Sequence, residues 1–307
     1  MTSDNMRKIY LTFDIETITS RMSYNPNFYT NILLGALYIA KELKNRDLKA
    51  TFFISLSPKT DDLGYDDYFE NINYLIELLL PFDNIKLQPH MHMKNLPMEF
   101  NTKSDKFSDY TLDQQVSALI WAKRVFERHG VKVDSFRPGG YSVNKQYYEA
   151  LSRAGYQFSS IMKKDTVHID TMEHKINIEE PYESYFNIKE YPVTSLLIQS
   201  IKRKREIVNL SPDFFTYSSM RQYIDNSNYV NINFHSFSVF TNRFARENHD
   251  NILKHNIKYF FFEKPFIKIL KYFNYEVINH NTLFKSALEE WLTEIEVYSL
   301  NTYFIGE

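Results

Sequence analysis

Two acidic residues near the start of the chain are the first whose types and spacing could support chemistry. Asp14 and Glu16 stand at the end of the β-prone run 9–13, and a single residue separates them. In an extended backbone, side chains two residues apart point to the same side. The two carboxylates should therefore leave the end of a strand together, where they could share a cation or divide the roles of acid and base.

A pair of histidines follows the same spacing farther along the chain. His90 and His92 end the extended run 85–92, so their imidazoles should also face one side. Two neutral imidazoles and a carboxylate, with open positions for water, form a common catalytic metal site. We therefore interpret this pair, opposite Asp14 and Glu16, as metal ligands. The simpler interpretation is two ordinary polar residues at a strand end.

Arg137 and His235 are two further polar residues at the ends of expected strands. Arg137 precedes the Pro-Gly-Gly-Tyr run 138–141, in which proline fixes the backbone and the glycines let backbone amides approach a ligand closely. The arginine could pair with a buried carboxylate and keep it ionised, or it could belong to a structural turn. His235 could be a hydrogen-bonded core histidine or, given its position, a proton donor.

Alternating strands and helices must bring these residues together. Strands that alternate with helices indicate parallel βαβ units, and seven or so units in 307 residues predict a closed or nearly closed β/α barrel. In such barrels the chemistry collects at the carboxyl ends of the strands. After the opening strand, the patterns predict strands over 48–56, 85–92, 131–136, 156–161, 190–198, 229–235 and 275–278, and helices over 28–45, 66–81, 111–128, 144–154, 220–225, 251–273 and 282–295.

The domain organisation follows from the connections between these elements. No linker rich in Gly, Ser or Pro divides the chain, so we expect one domain over residues 1–307. The charged stretch 163–189 has no clear period and is interpreted as an insertion or hairpin. The polar loop 94–110 is longer than most connections and is a candidate lid.

Composition excludes several classes of function. The chain has 36 Lys and Arg against 38 Asp and Glu, a formal charge of −2, which gives no electrostatic argument for nucleic acid or membrane as the main partner. The absence of cysteine excludes disulfides and thiolate metal sites. Without an apolar run of membrane-spanning length or a signal-peptide core, a cytoplasmic protein is expected. The oligomeric state is not indicated.

Taken together, these stretches resemble the polysaccharide deacetylases, the NodB-homology group also called carbohydrate esterase family 4. The resemblance covers about residues 7–280 and is closest to the WbmS-like variants of surface-polysaccharide loci. It implies a distorted (β/α)7-8 barrel. The family's Thr-Phe-Asp-Asp motif corresponds to 12–16, its histidine pair to His90 and His92, its Arg-Pro motif to 137–141, and its late Leu-His motif to 234–235.

The resemblance also implies a role for each matching residue. Asp14 would be the general base, Arg137 would orient it, and His235 would be the general acid. The metal ligands would be Glu16, His90 and His92, and the substrate or oxyanion site would lie at Gly139, Gly140 and Tyr141.

The sequence departs from the family pattern at three places. Ile15 occupies the place of the family's metal-binding second aspartate, and one residue instead of three separates the two histidines. The family's fourth motif has no clean match, so the group that orients His235 is unassigned, with Asp165 and Glu190 as weak candidates.

The implied reaction is metal-assisted hydrolysis of an N-acetyl group on an amino sugar. The substrate would be a surface polysaccharide such as a capsule or O-antigen, or its precursor. The cofactor would be a divalent metal, with Zn²⁺ as the first expectation.

Two other classes of protein stay open. The run 13–17 also resembles the first motif of the two-metal 3′–5′ exonucleases, for which His129 and Asp134 have one of the later spacings. That interpretation leaves His90, His92 and Arg137 without a role. The second class is a sugar-binding barrel that lacks catalysis.

Overall fold

Strands and helices alternate along most of the chain that the structure describes. The computed structural model describes residues 7–17, 32–58, 65–161, 180–199, 205–213, 217–240, 280–297 and 301–307. The strands are β1 (Lys8–Ile15), β2 (Ala50–Ser55), β3 (Ile85–Met91), β4 (Ser135–Pro138), β5 (Phe158–Ser159), β6 (Tyr182–Glu183), β7 (Lys189–Glu190), β8 (Ser195–Gln199), β9 (Arg205–Asn209), β10 (Tyr229–His235) and β11 (Thr302–Tyr303). The helices are α1 (Leu34–Asn45), α2 (Tyr65–Leu79), α3 (Leu112–Glu127), α4 (Tyr147–Arg153), α5 (Tyr217–Asp225), α6 (Phe237–Phe240) and α7 (His280–Val297).

The strands form a curled, mostly parallel sheet in the order β10-β1-β2-β3-β4-β5-β7-β6, with β11 beside β1. Only β6 runs antiparallel to its neighbour among these pairs. Strands β8 and β9 form a separate hairpin. Residues next to this hairpin bond to β10: the backbone N–H of Thr194 donates to the Asn231 carbonyl, and the backbone N–H of Asn233 donates to the Leu210 carbonyl. This curled sheet with its helices confirms the predicted β/α barrel.

The alternation of side chains along β1 determines what faces the inside of the curl. Ile9, Leu11 and Phe13 join the large apolar core, which also contains buried residues of the helices. The residues between them turn to the other side: Tyr10 packs among other aromatic residues, and Thr12 and Asp14 enter a buried polar network. A single strand thus supplies apolar residues to the helix layer and polar residues to the inside of the barrel.

Local sequence signals explain where the clearest helix begins and ends. Thr111 and Gln114 form a capping box at the start of α3, and the side chain of each accepts from the backbone N–H of the other. Gly130, just after the helix, has the positive φ of 74° for which glycine is favoured. No helix among the described residues combines the length and the apolar character needed to cross a bilayer.

Some strands of the structure differ from the predicted ones. The expected strand 190–198 is two strands, because β7 ends at Glu190 and β8 begins at Ser195. Pro192 lies in the break, where it has no N–H to donate to a ladder. Strand β9 was not predicted. The predicted helix 251–273, the predicted strand 275–278 and most of the insertion 163–189 lie outside the described residues, although 180–189 contains the antiparallel strand β6.

Glu190 is a carboxylic acid buried in the barrel wall. Its Oε1 accepts from the Ile161 N–H at 2.8 Å and its Oε2 from the Tyr148 hydroxyl at 3.2 Å. Burial disfavours the charged form, and although hydrogen bonds from Ser159, Ile161 and Tyr148 oppose this effect, the pKa of Glu190 rises from 4.5 to about 7. Because the folded protein keeps this proton longer than the unfolded chain does, Glu190 favours the folded state less as pH rises from about 4.5 to about 7.

We expect Glu190→Gln to remove this pH dependence. At about 1.4 kcal/mol per pKa unit, the variant should gain up to about 3 kcal/mol relative to the wild type between pH 4.5 and pH 8. Urea unfolding of both proteins at pH 5 and pH 8 measures the change, and the difference between the two proteins cancels other titrating groups. An equal free-energy difference at both pH values would contradict the assignment.

Candidate active site

The carboxyl ends of four strands converge and bring together the polar residues predicted from the sequence. In the ladders, Asp14 of β1 is opposite His235 of β10, and His90 of β3 is opposite Arg137 of β4. The backbone N–H of Ser236 also donates to the Asp14 carbonyl, which ties the end of β10 to that of β1. The predicted catalytic and metal-ligand residues therefore occupy one place in the fold.

Three of these residues form a compact group, here called the Glu-His-His group: Glu16, His90 and His92. All three are buried, and Glu16 Oε2 lies 3.1 Å from the Nε2 atoms of both histidines. Their candidate ligand atoms all lie within 4.8 Å of one another. The group is therefore able to hold a metal ion.

The hydrogen-bond partners of the two Nδ1 atoms, which point away from Glu16, support metal binding by the Glu-His-His group. His90 Nδ1 lies 3.0 Å from the Arg137 carbonyl, and His92 Nδ1 lies 2.9 Å from Asp105 Oδ2. A carbonyl and a carboxylate accept hydrogen bonds, so each Nδ1 carries a proton and each Nε2 of a neutral ring presents a lone pair to Glu16. A carboxylate and two neutral imidazoles that face one another in this way form a donor set that a divalent metal fits.

Asp105 belongs to the polar loop that was predicted as a candidate lid. The loop is tied to the end of β3, because the Met93 N–H donates to the Asp105 carbonyl at 3.1 Å and the Asp105 side chain contacts His92. The outer partner of a metal-binding histidine fixes its tautomer and ring orientation. The loop therefore contributes to the geometry of the Glu-His-His group.

The turn after β4 packs directly against His92. A Cβ on Gly139 would lie 2.6 Å from the His92 ring, so only glycine permits this close approach. Gly140 and Tyr141 follow with positive φ values of 58° and 54°. Of the predicted substrate or oxyanion positions, Gly139 lies against His92 and the Tyr141 hydroxyl contacts Asn233, whereas Gly140 is exposed; the role of all three in binding stays a prediction.

Arg137 is fully buried and uses each of its five N–H groups. Nε donates to the Ser160 carbonyl, Nη1 to Asp14 Oδ1 at 2.7 Å and to Asn233 Oδ1, and Nη2 to the Thr12 and Ser160 hydroxyls. A buried guanidinium needs such complete pairing, because an unpaired charge in the interior is costly. The arginine is therefore part of the interior of the barrel and holds Asp14 in one orientation.

The ionisation of Asp14 reflects this environment. Burial, the largest single effect, raises the pKa of the Asp14 carboxyl, but the opposing effects, led by the positive charge of Arg137, together outweigh it, so the pKa lies below its ordinary value. Asn233 adds a hydrogen bond from Nδ2 to Asp14 Oδ2 at 3.1 Å. Asp14 is thus a buried carboxylate held in the charged form, which is the form that can accept a proton.

His235 is oriented by an aspartate that the sequence reasoning missed. Its Nδ1 lies 2.8 Å from Asp213 Oδ2, and its ring stacks on Phe237 with the centroids 4.8 Å apart. Burial lowers the pKa of His235, but the hydrogen bond and charge of Asp213, with the charges of Glu16 and Asp14, raise it above its ordinary value.

The structure does not place either of the two weak candidates, Glu190 and Asp165, beside His235 among the residues that it describes. Glu190 bonds to Tyr148 and Ile161 instead, so that suggestion was wrong, and Asp165 lies outside the described residues. The other ring nitrogen, His235 Nε2, lies 3.8 Å from Asp14 Oδ2 and 3.8 Å from Glu16 Oε1. His235 Nε2 therefore faces Asp14 beside the Glu-His-His group, at a separation that leaves no direct hydrogen bond between them.

The residues that supported the exonuclease interpretation lie elsewhere. Asp134 precedes β4 and pairs with Lys86 Nζ at 2.6 Å near the amino ends of the strands. His129 Nε2 lies 2.9 Å from Asn73 Oδ1 of α2. Neither contributes to the end of the barrel that holds Asp14 and Glu16.

Comparison with known proteins gives matches in structure but not in sequence. No protein-family model and no curated protein matches the sequence. Among solved structures, a proposed polysaccharide deacetylase from Mycobacterium smegmatis aligns over 86% of this chain and 87% of its own, with a TM-score of 0.50 and 13% identity.

Two further solved structures are similar at lower TM-scores. The chitin deacetylase of the fungal pathogen Colletotrichum lindemuthianum aligns over 98% of this chain and 87% of its own, with a TM-score of 0.47 and 9% identity. A proposed polysaccharide deacetylase of O-antigen biosynthesis from Bordetella bronchiseptica, WbmS, aligns over 93% and 90%, with a TM-score of 0.42 and 12% identity. The likeness to the Mycobacterium smegmatis protein, at 13% identity, shows the fold: the chain has the NodB-type (β/α) barrel of the polysaccharide deacetylases, as its motifs predicted.

Proposed function

We propose that this protein is a metal-dependent N-deacetylase that acts on an amino sugar of a bacterial surface polysaccharide or its precursor. The observation that supports the proposal is that Asp14, held by Arg137, and His235, held by Asp213, both lie beside the Glu-His-His group, where they would act as base and acid. The polysaccharide-deacetylase motifs and the fold shared with the Mycobacterium smegmatis protein support a glycan substrate.

The reaction needs one proton to leave water and one to reach nitrogen. Asp14, charged and fixed by Arg137, accepts the proton as the water oxygen bonds to the acyl carbon. His235 donates a proton from Nε2 to the amide nitrogen as the C–N bond breaks, because an unprotonated amine is a poor leaving group. The products are acetate and the free amino sugar.

The metal would be held by Glu16, His90 and His92, and Zn²⁺ is the first expectation for two imidazoles and a carboxylate. When bound, it supplies Lewis-acid polarisation of the acyl carbonyl and makes water easier to deprotonate. Backbone N–H groups of the turn at 139–141 would add hydrogen bonds to the developing oxyanion.

The proposed activity is tested with the Zn²⁺-loaded protein and N-acetylglucosamine oligomers. We expect release of acetate that stops on chelation and returns with Zn²⁺. A sugar-binding barrel without catalysis would bind the oligomers and release no acetate. The exonuclease alternative instead predicts release of nucleotides from single-stranded DNA.

His92→Ala tests the Glu-His-His group. Because even an outer partner of a metal ligand is worth roughly 10- to 100-fold in affinity, loss of a ligand should weaken Zn²⁺ binding by more than about 100-fold. Competition with a chromogenic chelator measures the affinity. His129→Ala, at a histidine outside the site, is the matched control and should bind as the wild type does. Wild-type affinity in His92→Ala would mean that another residue is the ligand.

Asp14→Asn tests the base while preserving the shape of the side chain. The amide cannot accept the proton, so kcat should fall by about 10²- to 10⁴-fold, the usual worth of a positioned base. Zinc content, measured by elemental analysis, should stay near the wild-type value. Unchanged turnover would remove Asp14 as the base.

Asp213→Asn tests the group that orients His235. Loss of the carboxylate removes the charge that favours the protonated ring, so kcat should fall by about tenfold or more while KM and zinc content change little. Asp225→Asn, at an exposed aspartate of α5, is the control. A rise in KM with unchanged kcat would instead indicate that Asp213 contributes to substrate binding.

A further inference from the structure

Asp14 and Glu16 leave β1 in the same direction, yet they have different surroundings. Among the described residues, the group that could hold a metal contains Glu16 and not Asp14. Both are buried carboxylates, two residues apart at the end of one strand, so residue type alone does not explain why one is a candidate ligand and the other is not. The difference lies in what binds the oxygens of Asp14.

Each carboxylate oxygen of Asp14 has its own donor. Arg137 Nη1 donates to Oδ1 at 2.7 Å, and Asn233 Nδ2 donates to Oδ2 at 3.1 Å. Oδ2 is also the oxygen that lies 3.8 Å from His235 Nε2 and so faces the site. Asn233 therefore holds the oxygen that would otherwise be available to a cation.

The orientation of the Asn233 amide follows from its neighbours. Arg137 Nη1 lies 2.8 Å from Asn233 Oδ1 and can only donate, so this atom must be the amide oxygen. The amide nitrogen then faces Asp14, and its second contact is the Tyr141 hydroxyl at 2.8 Å. With both ends engaged, Asn233 presents its N–H to Asp14 in a fixed direction.

We propose that Asn233 is a positioning residue that keeps Asp14 out of the coordination shell of a metal held by the Glu-His-His group. Without the Asn233 donor, Asp14 Oδ2 would be a buried anionic oxygen that has lost its hydrogen bond. Coordination of a metal held by the Glu-His-His group would then be the most favourable replacement for that hydrogen bond. A base bound to the metal cannot take a proton from water. The inference rests on the proposed function, because it needs a metal at this group.

The test measures metal affinity and turnover in the same variants. Asn233→Ala removes the amide, and Asn233→Leu removes it while filling its volume, in case the smaller side chain destabilises the fold. We expect Zn²⁺ to bind about tenfold more tightly or better in both variants, since Asp14 joins as a ligand. We expect kcat for acetate release from N-acetylglucosamine oligomers to fall by about 10²-fold or more, since the base is lost.

The opposite directions of the two effects separate this role from a structural one. Damage to the fold weakens both metal binding and turnover. Release of Asp14 from Asn233 instead strengthens metal binding and lowers turnover. The visible absorption of bound Co²⁺ gives an independent readout without substrate, because an added oxygen ligand changes the coordination number and hence the spectrum.

Asn209→Ala is the matched control. Asn209 Nδ2 donates to the Tyr141 hydroxyl at 3.0 Å, so it belongs to the same hydrogen-bonded chain, with Tyr141 and Asn233 between it and Asp14. Its Co²⁺ spectrum and Zn²⁺ affinity should match those of the wild type. Unchanged or weaker Zn²⁺ binding together with a wild-type Co²⁺ spectrum in both Asn233 variants would overturn this inference but not the proposed function. A wild-type protein that binds neither ion would overturn the proposed function as well.

Discussion

The buried ion pair between Arg137 and Asp14 is the interaction on which the rest of the site depends. A guanidinium with no exposure to solvent is tolerated only if its donors and its charge are fully satisfied. Strands β1 and β10 and the residue after β5 supply acceptors to it, and the centroid of the Phe53 ring lies 4.2 Å from the guanidinium carbon. Because these acceptors come from distant parts of the sequence, the charge that fixes Asp14 also requires the barrel to close correctly around it.

This arrangement gives two neighbouring carboxylates different roles. Asp14 lies within the reach of Arg137 and Asn233, so its negative charge is already compensated by fixed donors. Glu16, one strand period later, lies beyond the end of β1 and faces the Nε2 atoms of two histidines whose other nitrogens are occupied. The first carboxylate is suited to take a proton and the second to bind a cation, and both follow from position along one strand.

Much of the fold and the centre of the site could be predicted from the sequence, because strand periodicity is a local signal. The two-residue rule placed Asp14 with Glu16 and His90 with His92, and the same rule on β10 would have placed Asn233 with His235. Asp213 and Asp105 carry no such signal. Each lies in a connecting segment and reaches its histidine through the path of the backbone, so only the folded chain shows which acidic residue meets which ring.

Two of the three departures from the family motifs, the histidine spacing and the position of the second acid, are consistent with one another. Two histidines separated by three residues lie on the same face of a helical turn. Two histidines separated by one residue lie on the same side only when the backbone is extended. Here β3 continues to Met91, and the His90 and His92 rings lie 5.1 Å apart at 75° with both Nε2 atoms directed at one oxygen. That oxygen belongs to Glu16, whose longer side chain starts one position later than the family's second aspartate. The shorter histidine spacing and the shifted, longer acid therefore meet at one point, which is the arrangement expected if a cation has to be bound there.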